Sequence, residues 1–226
     1  MAKALDLDEQ EQLESLKSFW NTYGNFITTA LLVAALVMAG YSGWRWYQSR
    51  QGAQAQGVYG EMESALQRKD VAAAQRLFQK MGSDYAGQTW TAQAGLLLAQ
   101  SAADAGQTAP AKDALQWVSD KGPEGAYRAV ARLRLSALLA GDKQYDAALK
   151  LLEGWQDAGL KGLALDQRGD ILALQGKKSD AAAAWKEAWQ ALPATGTYRN
   201  IVAAKLASVG ENTPADASAA AAGSAS

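Results

Sequence analysis

From Ser18 to Trp44 the chain runs for 27 residues without one charged side chain. Its middle, ITTALLVAALVMAGYSG, is apolar, and about 20 such residues cross a bilayer as a helix, because only a helix satisfies its own backbone there. Phe19, Trp20, Tyr23 and Phe26 flank it on one side, and Tyr41, Trp44, Trp46 and Tyr47 on the other. Those are the places where amphipathic rings prefer the membrane–water boundary. The run therefore predicts a membrane anchor over residues 23–47, with the bilayer as its partner. The stretch before it, KALDLDEQEQLESLK, holds five acids and two lysines, the opposite of the basic start of a cleaved signal. Leu13, Leu16, Trp20 and Tyr23 share one helical face, so the helix is expected to begin ahead of the membrane. Lys3 and Lys17 before the span are balanced by Arg45 and Arg50 after it, so charge alone does not assign the sides.

Composition narrows the chemistry. With no histidine and no cysteine, the chain lacks the commonest general base, the commonest transition-metal ligand and every disulfide. A formal net charge of −1 gives no electrostatic footprint for nucleic acid. No phosphate-cradling glycine loop or metal-spaced acidic cluster stands in the sequence. The expectation is a binding protein without catalytic residues, cofactor or metal. The opposing class, a carboxylate-dependent envelope enzyme using Asp166 and Asp170, would need a convergent acidic cleft.

After residue 50, helical patterns alternate with short breaks such as GSDYAG, DAGQTAP, AGDKQ and QGKKS. No alternating strand pattern lasts five residues. A small–bulky–small face recurs at +4 and +3: Ala74, Phe78, Met81; Ala111, Leu115, Val118; Ala147, Leu151, Gly154; Ala181, Trp185, Ala188. The first positions lie 37, 36 and 34 residues apart, the period of a stacked helix-turn-helix array. In the last unit Leu165, Gly169 and Leu172 are expected to pack from the first helix, Gly176 to turn the chain, and Pro193 to end the second helix. Gly169 and Ala181 would let the paired helices approach, with Trp185 and Trp189 as packing residues. Arg134 and Arg168, 34 residues apart, are expected to snorkel or to pair with Asp166 or Asp170.

The reading is all-α: a single transmembrane helix followed by a tetratricopeptide-like α-solenoid of about four helix pairs. Its domains are 1–22, the anchor 23–47, the repeats 50–209 and a disordered alanine-rich tail 210–226. The order of acidic segment, early span ending in GWRWYQS (43–49), and the stretches LRLSALLAGDKQYDAALKLLE (133–153) and LDQRGDILALQGKKSDAAAAWKEAW (165–189) resembles the YfgM-like family. That resemblance implies an inner-membrane protein with a cytoplasmic N-terminus and a periplasmic C-terminal domain. It also implies two partners, the SecYEG translocon and a membrane-anchored periplasmic prolyl-isomerase-like chaperone. A scaffold for another envelope complex is the alternative within the same class. In tetratricopeptide geometry the first helix of each pair lines the concave surface. Counting from the repeated alanines places Tyr59, Glu63, Leu96, Gln100, Arg132, Ser136, Asp166 and Asp170 there, as protein-binding residues not needed for packing.

Overall fold

A computed structural model of the chain describes residues 7–123 and 125–215, with side chains from residue 13 onward. The first six residues of the acidic segment and the tail from 216 lie outside the described residues. Among the described residues every regular element is a helix: α1 Leu7–Gln67, α2 Val71–Asp84, α3 Thr89–Asp104, α4 Thr108–Lys121, α5 Gly125–Gly141, α6 Tyr145–Leu152, α7 Lys161–Leu174, α8 Lys178–Ala191 and α9 Tyr198–Ser208. The chain divides into two compact units, Met1–Gln51 and Gly52–Ser226.

In the first unit, α1 contains the one described stretch long and apolar enough to cross a membrane. Its large side chains, from Phe26 through Leu31, Leu36 and Met38 to Trp44, are exposed along their lengths. The three threonine hydroxyls in the run are satisfied locally. The hydroxyls of Thr22 and Thr29 donate to the carbonyls of Ser18 and Asn25 four residues back, at 3.0 and 2.7 Å, and Thr28 bonds Gly24 in the same way. A hydroxyl bonded inside its own helix needs no water. At the far end Arg45 lies over the Tyr41 ring and Arg50 over the Trp46 ring, 5.8 and 4.5 Å from the centroids.

The second unit is four helix pairs and an extra helix: the end of α1 with α2, then α3/α4, α5/α6, α7/α8, and α9. One turn recurs throughout. Lys69, Gly106, Lys143 and Gly176 each take a left-handed backbone, with φ of 60, 70, 62 and 78°. The N–H of the following residue then reaches back to a carbonyl in the last helical turn: Asp70 to Ala65, Gln107 to Ala102, Gln144 to Leu139 and Lys177 to Leu172. This doubly bonded cap satisfies the orphan carbonyls of the first helix and aims the chain back along it. Five residues after each left-handed residue stands an alanine with no exposed surface: Ala74, Ala111, Ala148 and Ala181. Seven residues before it stands another packing position, filled by Met62, Ala99, Ser136 and Gly169, all buried.

That frame corrects the third repeat. Ala148 and Leu152 are buried there, whereas Ala147 is exposed and Leu151 only half-buried. The expected Ala147–Leu151–Gly154 face is one residue out of register. Gly141 is still helical, and the turn falls on Lys143, a residue with no intrinsic preference for left-handed backbone. In the other three repeats the expected alanines and bulky residues pack as read. Trp185 is 4% exposed, and Gly169 and Ala181 are buried beneath it. Phe78 meets Trp117 edge-on at 5.4 Å.

Candidate protein-binding surface

The left-handed residues also index the first helices. Ten residues before them stand Tyr59, Leu96, Leu133 and Asp166; six before them stand Glu63, Gln100, Ala137 and Asp170. Tyr59 and Leu96 are half-buried and Glu63 and Gln100 exposed, a mixed surface of the kind that contacts proteins. Tyr59 stacks at a tilt on Trp90, with centroids 5.2 Å apart. Burial, reinforced by the neighbouring Glu63 carboxylate, pushes its phenol above the ordinary value. Glu63 also lines a shallow cleft of 260 Å³ with Leu66, Gln67, Leu97 and Ser101. The first two helices thus present their chosen residues outward.

The third and fourth do not. Ser136 occupies the packing position, has no exposed surface, and donates its hydroxyl to the Ala148 carbonyl at 2.9 Å. Arg132 is committed to α6: its Nε donates to the Leu151 carbonyl at 2.8 Å, a second nitrogen donates to Leu151 and Glu153, and its guanidinium lies 5.0 Å from the Trp155 centroid. A cation on the last carbonyls of a helix satisfies orphan acceptors and complements the helix dipole. The one-residue slip that moved Ala147 also moved these two, and the in-register residues are Leu133 and Ala137.

Asp166 is in register yet 2% exposed, because α9 covers it. Lys205 donates to both of its carboxylate oxygens, at 2.7 and 2.8 Å, and Tyr198 donates its hydroxyl to Oδ2 at 2.7 Å. The same ammonium reaches Asp170, which also accepts from the Trp185 indole N–H at 3.1 Å. A buried carboxylate needs this much pairing to remain charged. Burial, then the hydrogen bond to Asp166 and the charges of Asp166 and Asp170, drives the Tyr198 phenol far above its usual range. The expectation that none of the eight residues is needed for packing is therefore overturned at Ser136, Arg132 and Asp166, at Asp170, which holds Trp185 and Lys205, and in part at Tyr59 and Leu96, which pack against the core.

Lys205 takes the role expected of Arg134 and Arg168, which are exposed and pair with no described carboxylate. Sequence reading missed Lys205 and Tyr198 because they lie 39 and 32 residues from Asp166. The local signal for α9 was present: Val202, Leu206 and Gly210 follow one another at four-residue spacing. Both apolar residues are fully buried, and Gly210 closes the helix with φ of 80°. Beyond it Glu211 pairs with Lys186 at 2.7 Å and Thr213 is largely buried. Trp189 is half-buried under Arg199, whose guanidinium lies 3.6 Å from the ring centroid.

Among the described residues no group of acids is placed to hold a metal ion. The geometry defines a helical-repeat protein with one apolar N-terminal helix and an outward face on its first repeats. A family model described as a tetratricopeptide repeat-like domain matches residues 17–211. A protein of Neisseria gonorrhoeae named ancillary SecYEG translocon subunit is 30% identical over 210 residues, 91% of this chain and 99% of that protein. An Escherichia coli protein of the same name is 28% identical over 182 residues, 79% of this chain and 86% of its own. The chain belongs to this tetratricopeptide repeat-like, YfgM-like family.

Proposed function

We propose that the chain is a membrane-anchored, non-enzymatic protein-binding scaffold at the Sec translocon, linking it to a membrane-anchored periplasmic prolyl-isomerase-like chaperone. The observation that carries the reading is the near full-length likeness, apolar helix included, to a protein named as a translocon subunit. Residues 23–47 would span the inner membrane, with residues 1–22 cytoplasmic and the repeats periplasmic. The anchor works by tethering: a binding domain attached to the membrane meets emerging chains at a far higher effective concentration than a free one. Glu63 and Gln100 offer exposed contact surface, beside the half-buried Tyr59 and Leu96, which also pack against the core of the repeat.

Photocrosslinking groups at Glu63 and Gln100 in intact inner membranes test the scaffold. Adducts with the channel or the chaperone are expected. Absence of adducts, together with failure of the full chain to co-isolate with SecYEG, rejects it. Protease added to spheroplasts tests the topology. Digestion of the repeats is expected, and resistance until the membrane is broken reverses the orientation.

A further inference from the structure

The second helices α2, α4 and α8 each have 14 residues, but α6 has eight. Gly154, at φ 59°, follows its end, and the chain then runs without helix until Lys161. Trp155 stands twelve residues after the left-handed Lys143, where the other repeats put the buried residues Met81, Val118 and Ala188. It is only half-buried. The repeat array is therefore missing about two turns of helix in one place, and a trough opens where they would lie.

Two clefts meet at Gly154 and Trp155, of 380 and 520 Å³, each the size of a ligand site. In the first, Leu149 and Leu152 of α6 face Leu165 and Leu172 of α7. Lys161 and Arg168 stand on its α7 side and pair with no described carboxylate. In the second stand Arg128 and Arg132, whose guanidiniums bond the carbonyls of Gly122, Leu151 and Glu153. A carbonyl accepts a hydrogen bond without cancelling the charge. Among the described residues, four cations thus border the trough against two acids, Glu153 and Asp157, and Asp157 already accepts the Leu160 N–H at 3.0 Å.

We infer that this trough docks a short polypeptide segment combining apolar side chains with carboxylates. The leucine floor selects apolar groups, the cationic border selects acids over bases, and the continuity across Trp155 suits a chain rather than a compact ligand. The site is distinct from the Tyr59–Gln100 face, and it rests on the reading of the chain as a protein-binding scaffold.

The test uses the full chain in uncharged nanodiscs and three fluorescent decapeptides. One alternates leucine with glutamate, one leucine with lysine, and one serine with glutamate. Anisotropy should show the leucine–glutamate peptide binding most tightly. Lys161→Glu with Arg168→Glu, both exposed positions, should weaken it about tenfold and favour the leucine–lysine peptide instead. Glu153→Gln should tighten the leucine–glutamate peptide. Circular dichroism melting checks that each variant is folded. Equal binding of the acidic and basic peptides, or an unchanged affinity in the folded double variant, overturns the inference. So does a double variant that loses binding to phosphatidylglycerol vesicles while keeping the peptide, because the trough is then a lipid site. Co-isolation with SecYEG is measured separately on the wild type, so failure of the translocon reading is visible independently of peptide binding.

Discussion

A Cβ built on Gly169 would run into the indole of Trp185, 2.9 Å from its Cγ and closer still to Cδ1 and Nε1. The same edge of the ring is tied to α7, because its N–H donates to Asp170, the residue after Gly169. The glycine is therefore the space that lets α7 and α8 touch. Gly169→Ala should cost roughly 1–3 kcal/mol and Gly169→Leu more, as overpacking forces the ring off its hydrogen bond. Gly60 of α1 is the control, since nothing lies within 4 Å of its absent Cβ. Gly60→Ala should gain about 0.5–1 kcal/mol by raising helix propensity. Urea titration of the three variants measures both signs, and equal midpoints for all would remove the packing assignment.

Removing the ammonium of Lys205 takes the cationic partner from the buried Asp166 carboxylate and leaves it the Tyr198 hydrogen bond. Lys205→Met should destabilise the repeat domain by roughly 3 kcal/mol, the low end for a broken buried pair. Low is the appropriate end because the lysine side chain is 24% exposed. Asp166→Asn added to Lys205→Met should restore part of the loss by removing the stranded charge. A double variant no more stable than Lys205→Met contradicts this account.

Alkali should loosen the same contact. Tyrosine is charged only when deprotonated, and the folded state holds the Tyr198 proton more tightly than the ordinary phenol value of 10.0 allows. The folded state then binds more protons than the unfolded chain above pH 10, so stability present below that pH falls as pH rises through it. Tyr198→Phe should flatten this alkaline limb while costing about 0.5–1.5 kcal/mol at neutral pH for the lost hydrogen bond. Thermal melts of the two proteins between pH 8 and about pH 11 compare the slopes. Identical slopes would place the alkaline sensitivity elsewhere.

Lys69 and Lys143 carry a Cβ in a backbone conformation where Gly106 and Gly176 carry none. Left-handed geometry costs a non-glycine residue roughly 1–2 kcal/mol, and glycine returns part of that as unfolded-chain entropy. Lys143→Gly and Lys69→Gly should each stabilise by up to about 1 kcal/mol, and Gly176→Ala should destabilise by a similar amount. Differential scanning calorimetry reads all three. A lower melting temperature for both lysine variants would mean the side chains contribute more than the strain they impose.

The amino-acid sequence by itself determined the helical class, the apolar span and three of the four repeat registers. Those properties are written in near neighbours: an uncharged run, the +4 and +3 spacing of Ala74, Phe78 and Met81, and the small Gly169 opposite Trp185. Period and volume are local, so they survive without knowing what packs against them. Tertiary structure alone decided the rest. The third register turned on Lys143, whose φ of 62° is imposed by the cap and not by its side chain. Ser136 and Arg132 became packing and capping groups through that single-residue shift. Asp166, an outward residue by periodicity, became an interior one when α9 laid Lys205 and Tyr198 over it from 39 and 32 residues away. Such pairing depends on which helix stacks last and how closely, and the free energy that selects it lies in burial shared between distant segments, which no spacing within either segment records.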